Sequence, residues 1–141
     1  MKIKIIAVGK LSDNDGINKI INEYEKRLSW KLDIFSLDKK STKEEEARLI
    51  NTKLTDNSFK FILSEEGKQF TSTEFAKFFE NNQKIDFVIG GAEGLADSMK
   101  KQGDIIMSLS KMTLPHMFAR MFLVEQIYRA AMILQNHPYH K

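Results

Sequence analysis

The sequence predicts an α/β fold in which helices cover both faces of a mostly parallel sheet, as one domain over residues 1–141. Runs of β-branched residues alternate along the chain with runs whose apolar residues recur every three or four positions, the spacing of an amphipathic helix. Ile85–Ile89 is apolar at nearly every position, which is typical of a central parallel strand buried on both faces. Strands that alternate with helices in this way form a layered α/β domain.

The first half of the chain contains two strands and two helices. In order, they are a strand Lys2–Val8, a turn Ser12–Gly16, a helix Ile17–Leu28, a strand Leu32–Leu37 and a helix that ends near Leu54. Ser41 or Thr42, each followed three residues later by a glutamate, predicts a capped start for the second helix.

The second half repeats the alternation and ends in a long helix. In order, the segments are a strand Phe59–Leu63, a helix capped by Thr71, the strand Ile85–Ile89, a short helix from about Leu95, a strand Asp104–Leu109 and the helix Met117–Leu134. Pro115 suits the first position of that last helix, because its missing N–H would have no partner there.

Composition and charge limit the functional classes. Residues 100–141 carry six Lys or Arg against two Asp or Glu, whereas residues 1–99 carry sixteen against seventeen, so the net charge of +3 comes from the C-terminal third. This charge modestly favours a polyanionic partner. The chain has no cysteine, which fits a reducing interior. Without an export signal or an uninterrupted apolar span, the sequence predicts a soluble cytoplasmic protein that does not enter a membrane.

Three loops follow the carboxyl ends of predicted strands. They are Leu63–Gly67, Gly90–Gly94 and Ser110–Pro115. Ligands of parallel α/β sheets bind outside this edge, so the three loops are expected to line one pocket. Read alone, Gly90–Gly94 is either a tight turn or a close backbone approach to a flat ligand. Likewise, Ser110–Pro115 is either an ordinary connection or a backbone wall for an adenine.

The long helix predicts a self-association surface. Fourteen of the eighteen residues in Met117–Leu134 are apolar, and they cover nearly every face. A domain of this size has little interior to surround such a helix, so a homodimer interface is the economical explanation. Within it, Glu125 and Arg129 lie one turn apart and can form a helix-stabilising ion pair, although Arg129 is also a candidate for holding an anion.

The last five residues carry unusually functional side chains. His137, Tyr139, His140 and Lys141 offer proton transfer, base stacking and phosphate neutralisation. The alternative interpretation is that these residues form a frayed C-terminus without a function. A metal site on the two histidines would lack a third ligand, so the sequence predicts no metal.

At these residues the chain resembles the ribosomal RNA large subunit methyltransferase H family, the SPOUT-class enzymes that methylate N3 of a pseudouridine. The segments that carry the resemblance are Val88–Leu95, Ser108–His116, Tyr128–Arg129, Asn136–Lys141, Ala7–Lys10 and Leu63–Lys68. They span the chain. There are two departures: Ala92 stands where proline is common, and Lys141 stands where arginine often sits.

The resemblance implies a C-terminal trefoil knot, a homodimer, and S-adenosylmethionine bound in bent form within the knot. Carried over by position, the methyl-donor pocket falls on Leu63, Gly91, Ser110, Lys111, Met112, Thr113, Leu114 and Pro115. The implied partner is large-subunit rRNA on the assembled ribosome, with no role for DNA.

We also assign hypothetical roles in RNA binding to four residues. Arg129 and Lys141 are assigned to RNA phosphates, Tyr139 to stacking on or orienting the base, and His140 to contact with the target. The general base stays open, since water or the RNA itself can take the proton, and His116 is either structural or catalytic. Two alternatives remain, a non-catalytic ribosome-binding protein that keeps the fold and a SPOUT enzyme that acts on tRNA.

Overall fold

Five parallel strands form one sheet in the computed structural model, which describes residues 1–11 and 16–141. The strands are β1 Lys2–Val8, β2 Lys31–Leu37, β3 Phe59–Lys68, β4 Lys84–Ile89 and β5 Ile105–Met107. The helices are α1 Gly16–Arg27, α2 Lys43–Lys53, α3 Ser72–Asn81, α4 Asp97–Lys100 and α5 His116–Leu134. The predicted turn Ser12–Gly16 lies, except for its last residue, outside the described part.

The sheet has the strand order β2-β1-β4-β3-β5, and every pairing is parallel. Alternate residues of β1 and β4 point to opposite faces. On one face, Ile3, Ile5 and Phe87 pack in a core with α1, α3 and α5. On the other face, Ile6 and Val88 pack in a smaller core with α2 and α4. The predicted α/β architecture with helices on both faces is therefore confirmed.

The helix starts follow their capping residues. Thr42, and not Ser41, caps α2, because its hydroxyl accepts a hydrogen bond from the Glu45 backbone N–H at 3.1 Å. Thr71 caps α3 in a reciprocal capping box with Glu74. Each cap satisfies backbone donors that have no partner inside the helix.

The structure corrects several predicted boundaries near the carboxyl edge of the sheet. The strand predicted to end at Leu63 continues to Lys68, whereas the strand predicted over Asp104–Leu109 keeps only Ile105–Met107. Pro115 is the residue just before α5 and not its first residue, although its carbonyl accepts hydrogen bonds from Phe118 and Ala119. In the described residues, no helix has both the length and the apolarity needed to span a bilayer.

Candidate active site

A cleft of about 380 Å³ opens at the carboxyl ends of β3, β4 and β5. All three predicted loops contribute to it, because parallel strands deliver their carboxyl ends to one edge. The lining residues include Leu63–Glu66, Ile89–Leu95, Met107–Ser110 and the start of α5 at His116 and Ala119. The prediction that the three loops line one pocket is therefore confirmed.

The first wall is an irregular part of β3. Leu63 and Lys68 both pair with Met107 of β5, so the four residues between them bulge out of the sheet beside the cleft. At the end of this bulge, the backbone of Gly67 packs directly against the backbone of β5. A Cβ at Gly67 would lie only 2.5 Å from the Met107 carbonyl carbon, so no side chain fits there. The sheet thus holds the bulge in place by close backbone contact.

The second wall is the glycine turn after β4. Gly94 adopts a positive φ of 81° and donates its N–H to the Gly91 carbonyl at 3.0 Å. A Cβ at Gly90 would come within 2.9 Å of the Gly94 backbone, whereas a Cβ at Gly91 would make only ordinary contact with Val8. The turn therefore requires glycine at Gly90 and Gly94, and Gly91 presents a backbone surface to the cleft.

The third wall is the loop before α5. The Ser108 hydroxyl donates to the Ser110 carbonyl at 2.8 Å, and the Met112 N–H donates to the Ser110 hydroxyl at 3.0 Å. Of the six loop residues predicted for the pocket, Ser110, Met112 and Leu114 line the cleft, whereas Lys111, Thr113 and Pro115 do not. Met112 is 77% exposed, so its thioether side chain can adapt to a ligand.

An ion pair that the sequence analysis missed joins the β3 bulge to α4 at the rim of the cleft. Lys100 of α4 lies 2.7 Å from the carboxylate of Glu66, and both residues line the cleft. The hydrogen bond from Lys100 lowers the pKa of Glu66, and the same bond raises the pKa of Lys100. No local sequence pattern predicts this pair, because Glu66 and Lys100 are brought together by the bulge in β3.

The C-terminal residues fold back on α5 and form a second polar group, here called the tail cluster. It comprises Tyr24, Glu125, Tyr128, Arg129, Tyr139 and His140. The Tyr139 hydroxyl donates to Glu125 at 2.8 Å and lies 3.1 Å from the Tyr24 hydroxyl. Burial, followed by these hydrogen bonds, raises the pKa of Tyr139 well above its usual range. The phenol therefore keeps its hydrogen, which it donates to Glu125.

Arg129 is the centre of the tail cluster. Its Nε and Nη2 both donate to Glu125 Oε1, at 3.0 and 2.6 Å, which raises the pKa of Arg129. The guanidinium carbon lies 4.8 Å from the centroid of the Tyr139 ring. Tyr139 also packs edge-on against Tyr128, with 4.9 Å between ring centroids. The predicted ion pair is present, and the last residues are docked on α5, which excludes the alternative interpretation of a frayed end.

The tail cluster and the cleft of one chain lie apart. The cleft touches α5 at its first residues, and Arg129 follows Ala119 by ten residues, or about 15 Å along a helix axis. Tyr139 packs against the same buried cluster at the end of α5 as Leu28 and Trp30, which precede the amino end of β2. The structure therefore brings Arg129, Tyr139 and His140 together but does not bring them to the cleft of the same chain. Lys141 is exposed.

Arg120 ties α5 to the sheet beside the cleft. It is 2% exposed, and it donates to the Gly9 carbonyl at 2.9 Å and to the Ser36 hydroxyl at 2.8 Å. Its Nε has no hydrogen-bond partner among the residues described, and burial lowers its pKa. The residue holds the carboxyl ends of β1 and β2 against the start of α5.

Replacing Arg120 with alanine is expected to lower the free energy of unfolding by about 2–4 kcal/mol, because it empties a buried volume and leaves the Gly9 carbonyl unpaired. Denaturant unfolding followed by circular dichroism measures this. The exposed Arg48→Ala variant on α2 serves as the control and should change stability by less than about 0.5 kcal/mol. Equal stability of the two variants would show that the buried contacts of Arg120 are unimportant.

No group of three or more histidine, aspartate or glutamate side chains that could hold a metal ion occurs within residues 1–11 and 16–141. The chemistry of the cleft is instead that of backbone walls, apolar side chains and a rim of charge. Such a lining suits a ligand that combines a flat ring with a charged, polar end.

Comparison with known proteins gives a consistent picture. A family model described as "Predicted SPOUT methyltransferase" matches residues 1–140. The chain is 41% identical to Ribosomal RNA large subunit methyltransferase H of Acholeplasma laidlawii, with both chains covered completely. It is 40% identical to the protein of that name from Clostridium perfringens strain 13 and 39% identical to the one from Streptococcus gordonii, again over the full length of each.

Proposed function

This chain belongs to the SPOUT methyltransferase family, and from that membership we propose that it transfers a methyl group from S-adenosylmethionine to N3 of a pseudouridine in large-subunit rRNA. The names of its relatives support the rRNA as substrate. The observation that carries the donor assignment is the convergence of three backbone walls on one cleft. We further propose that the protein acts in the cytoplasm on the assembled ribosome.

The cleft fits the proposed donor in size and lining. Its volume of about 380 Å³ lies within the range of small-molecule sites. The Gly90–Gly91 backbone permits close approach of a flat ring, and Leu63, Leu95 and Leu114 supply apolar contact. Ser110 and neighbouring backbone groups offer the hydrogen bonds that an adenine needs. These residues would hold the donor and exclude water from its reactive carbon.

The proposed reaction is a direct displacement. When bound, S-adenosylmethionine supplies a methyl group on a positively charged sulfur. The C–S bond breaks with its electron pair remaining on sulfur, a bond forms between the methyl carbon and N3, and the N3 proton passes to water or to a group of the RNA. The protein's part is mainly to align the two reactants, which can lower the barrier by roughly 7–11 kcal/mol.

The target base would be bound by the tail. Lys141 is exposed and can neutralise phosphate, and the ring of Tyr139 can stack on or orient the base. Taking a base out of its stack costs a few kcal/mol, and least where the base is already unpaired. Because the tail cluster of one chain lies away from its own cleft, we propose that the tail of a second copy completes the site in a homodimer.

The surface of α5 supports this homodimer. Phe118 and Phe122 lie one turn apart and are 46% and 42% exposed. They stand close to the cleft, since Phe118 neighbours Ala119 in the chain. Large exposed aromatic residues one turn apart form an apolar stripe that a partner can cover. The trefoil knot implied by the resemblance remains a prediction.

Replacing Phe118 and Phe122 with glutamate is expected to convert the dimer to a monomer, because two carboxylates would be buried without partners in a symmetric interface. Sedimentation velocity measures the change. Ile20→Glu is the matched control, since Ile20 is an apolar residue of similar exposure, 44%, on a different helix, α1. A wild-type protein that is monomeric at micromolar concentration would contradict the proposed dimer.

The decisive experiment on function is mass spectrometry of large-subunit rRNA from a strain that lacks the protein, before and after complementation. The proposal expects the loss and return of one methyl group on one pseudouridine. Unchanged rRNA together with a missing methyl group on tRNA would favour a SPOUT enzyme acting on tRNA. Unchanged RNA and no calorimetric binding of S-adenosylmethionine would favour a non-catalytic ribosome-binding protein.

A further inference from the structure

The tail cluster defines the chemical state of His140. Nη1 of Arg129 lies 3.2 Å from Nδ1 of His140, within hydrogen-bond distance. A guanidinium has only N–H donors and no acceptor. In this hydrogen bond Arg129 is therefore the donor, and Nδ1 of His140 must present its lone pair.

The guanidinium that makes this bond is firmly held. Its other two nitrogens both donate to Glu125, and the Tyr139 ring covers one of its faces. The side chains of Arg129 and Glu125 are only 24% and 19% exposed. Arg129 therefore has little freedom to turn away, and the lone pair of His140 Nδ1 is committed to it.

The position of the hydrogen on the His140 ring follows from the lone pair on Nδ1. A neutral imidazole whose Nδ1 is an acceptor carries its proton on Nε2. A hydrogen on Nδ1 would point directly at the Arg129 guanidinium, so this arrangement selects the tautomer whose hydrogen is on Nε2. In the described part of the chain, no residue is hydrogen-bonded to Nε2 of His140, and the ring is partly exposed. The tail thus offers an N–H donor outward.

We propose that Arg129 is a positioning residue that fixes His140 as the neutral Nε2–H form, and that His140 donates a hydrogen bond to a carbonyl oxygen of the target base. This inference rests on the proposed function. N3 of the target lies between two carbonyls, so loss of its proton places negative charge on their oxygens. A preorganised donor at such an oxygen stabilises this charge.

The same geometry excludes His140 as the base that removes the N3 proton. A general base needs a free lone pair directed at that proton. In His140, Nδ1 is occupied by Arg129 and Nε2 already carries a hydrogen. The two roles therefore make opposite predictions about which substitutions are tolerated at position 140.

The first test is long-range proton–nitrogen NMR of the full-length protein labelled with ¹⁵N-histidine at pH 8. We expect His140 to show a single form with the proton on Nε2, and Arg129→Met to turn this into a mixture of both forms. His137 is the internal control, because its Nδ1 accepts from the Tyr139 backbone N–H and should be less affected by the loss of the Arg129 charge. A proton on Nδ1 of wild-type His140, or an unchanged His140 in Arg129→Met, would overturn the proposal.

The second test compares substitutions at His140 by single-turnover methylation of purified ribosomes. The amide N–H of glutamine can replace Nε2–H, so His140→Gln should keep the rate within about tenfold, whereas His140→Ala should lose about 100-fold or more. Equal loss in both would favour the base and overturn the donor role, provided that calorimetry shows normal S-adenosylmethionine binding. Were the wild-type protein inactive on rRNA, the proposed function would fail while the NMR result on Arg129 would stand.

Discussion

Replacement of Tyr139, His140 and Lys141 with alanine is expected to reduce rRNA methylation by about 100-fold or more, while the affinity for S-adenosylmethionine stays within about twofold. The large kinetic effect arises because these side chains would align the target base with the donor, and misalignment of reacting groups by about 1 Å can cost 100-fold. The donor affinity is preserved because none of the three residues lines the cleft. Single-turnover methylation and isothermal calorimetry measure the two quantities.

The control for this variant is His137→Ala. His137 is exposed, and its Nδ1 accepts a hydrogen bond from the nearby Tyr139 backbone N–H, so its loss should change the rate by less than about threefold. The triple variant also loses the packing of Tyr139 against Tyr128, which lowers stability, so both proteins are compared well below their unfolding temperatures. A large loss of donor affinity in the triple variant would show that the tail binds the donor and would refute the division of roles.

Gly67→Ala is expected to weaken S-adenosylmethionine binding about tenfold or more and to lower the free energy of unfolding by about 1–3 kcal/mol. The new methyl group would lie 2.5 Å from the Met107 carbonyl carbon and 2.7 Å from its nitrogen, and backbone atoms of a paired strand cannot move aside cheaply. The bulge in β3 would therefore shift away from β5. Since Leu63–Glu66 form a wall of the cleft, its shape would change.

Gly16→Ala provides the matched glycine control. Among residues 1–11 and 16–141, a Cβ at Gly16 meets no atom within 4 Å, and the residue begins α1, where alanine is favourable. Calorimetry and denaturant unfolding of both variants separate the local clash from a general effect of adding a methyl group. Normal donor affinity in Gly67→Ala, together with reduced stability, would mean that the β3 bulge is not part of the donor site.

Much of the architecture follows from local patterns. The apolar spacing of Ile17–Leu28 and the β-branched runs of the strands specify which residues face the core, and alternation of the two kinds of segment implies a parallel sheet. That topology in turn places the loops after Leu63, Ile89 and Leu109 at one edge. A pocket at that edge could therefore be predicted without coordinates, and the structure contains it.

Local patterns did not reveal how those loops are shaped. Ser64–Lys68 contains two glutamates and a glycine, which resemble an ordinary turn, yet these residues continue β3 because Gly67 permits backbone contact with Met107. The Glu66–Lys100 pair joins residues that are 34 positions apart. Its formation depends on the position of the bulge relative to α4, which no short window of sequence encodes.

The sequence by itself determined the order of the elements, the two-sided sheet and the edge at which the cleft opens, because periodicity and chain alternation encode the directions of side chains and strands. Only the tertiary structure decided the chemistry of the C-terminal residues. Tyr24 and Tyr139 are 115 positions apart and meet only after α1 has packed against α5. The same packing docks the tail and directs Arg129 at His140, since hydrogen bonds between distant side chains depend on how helices pack and not on local sequence.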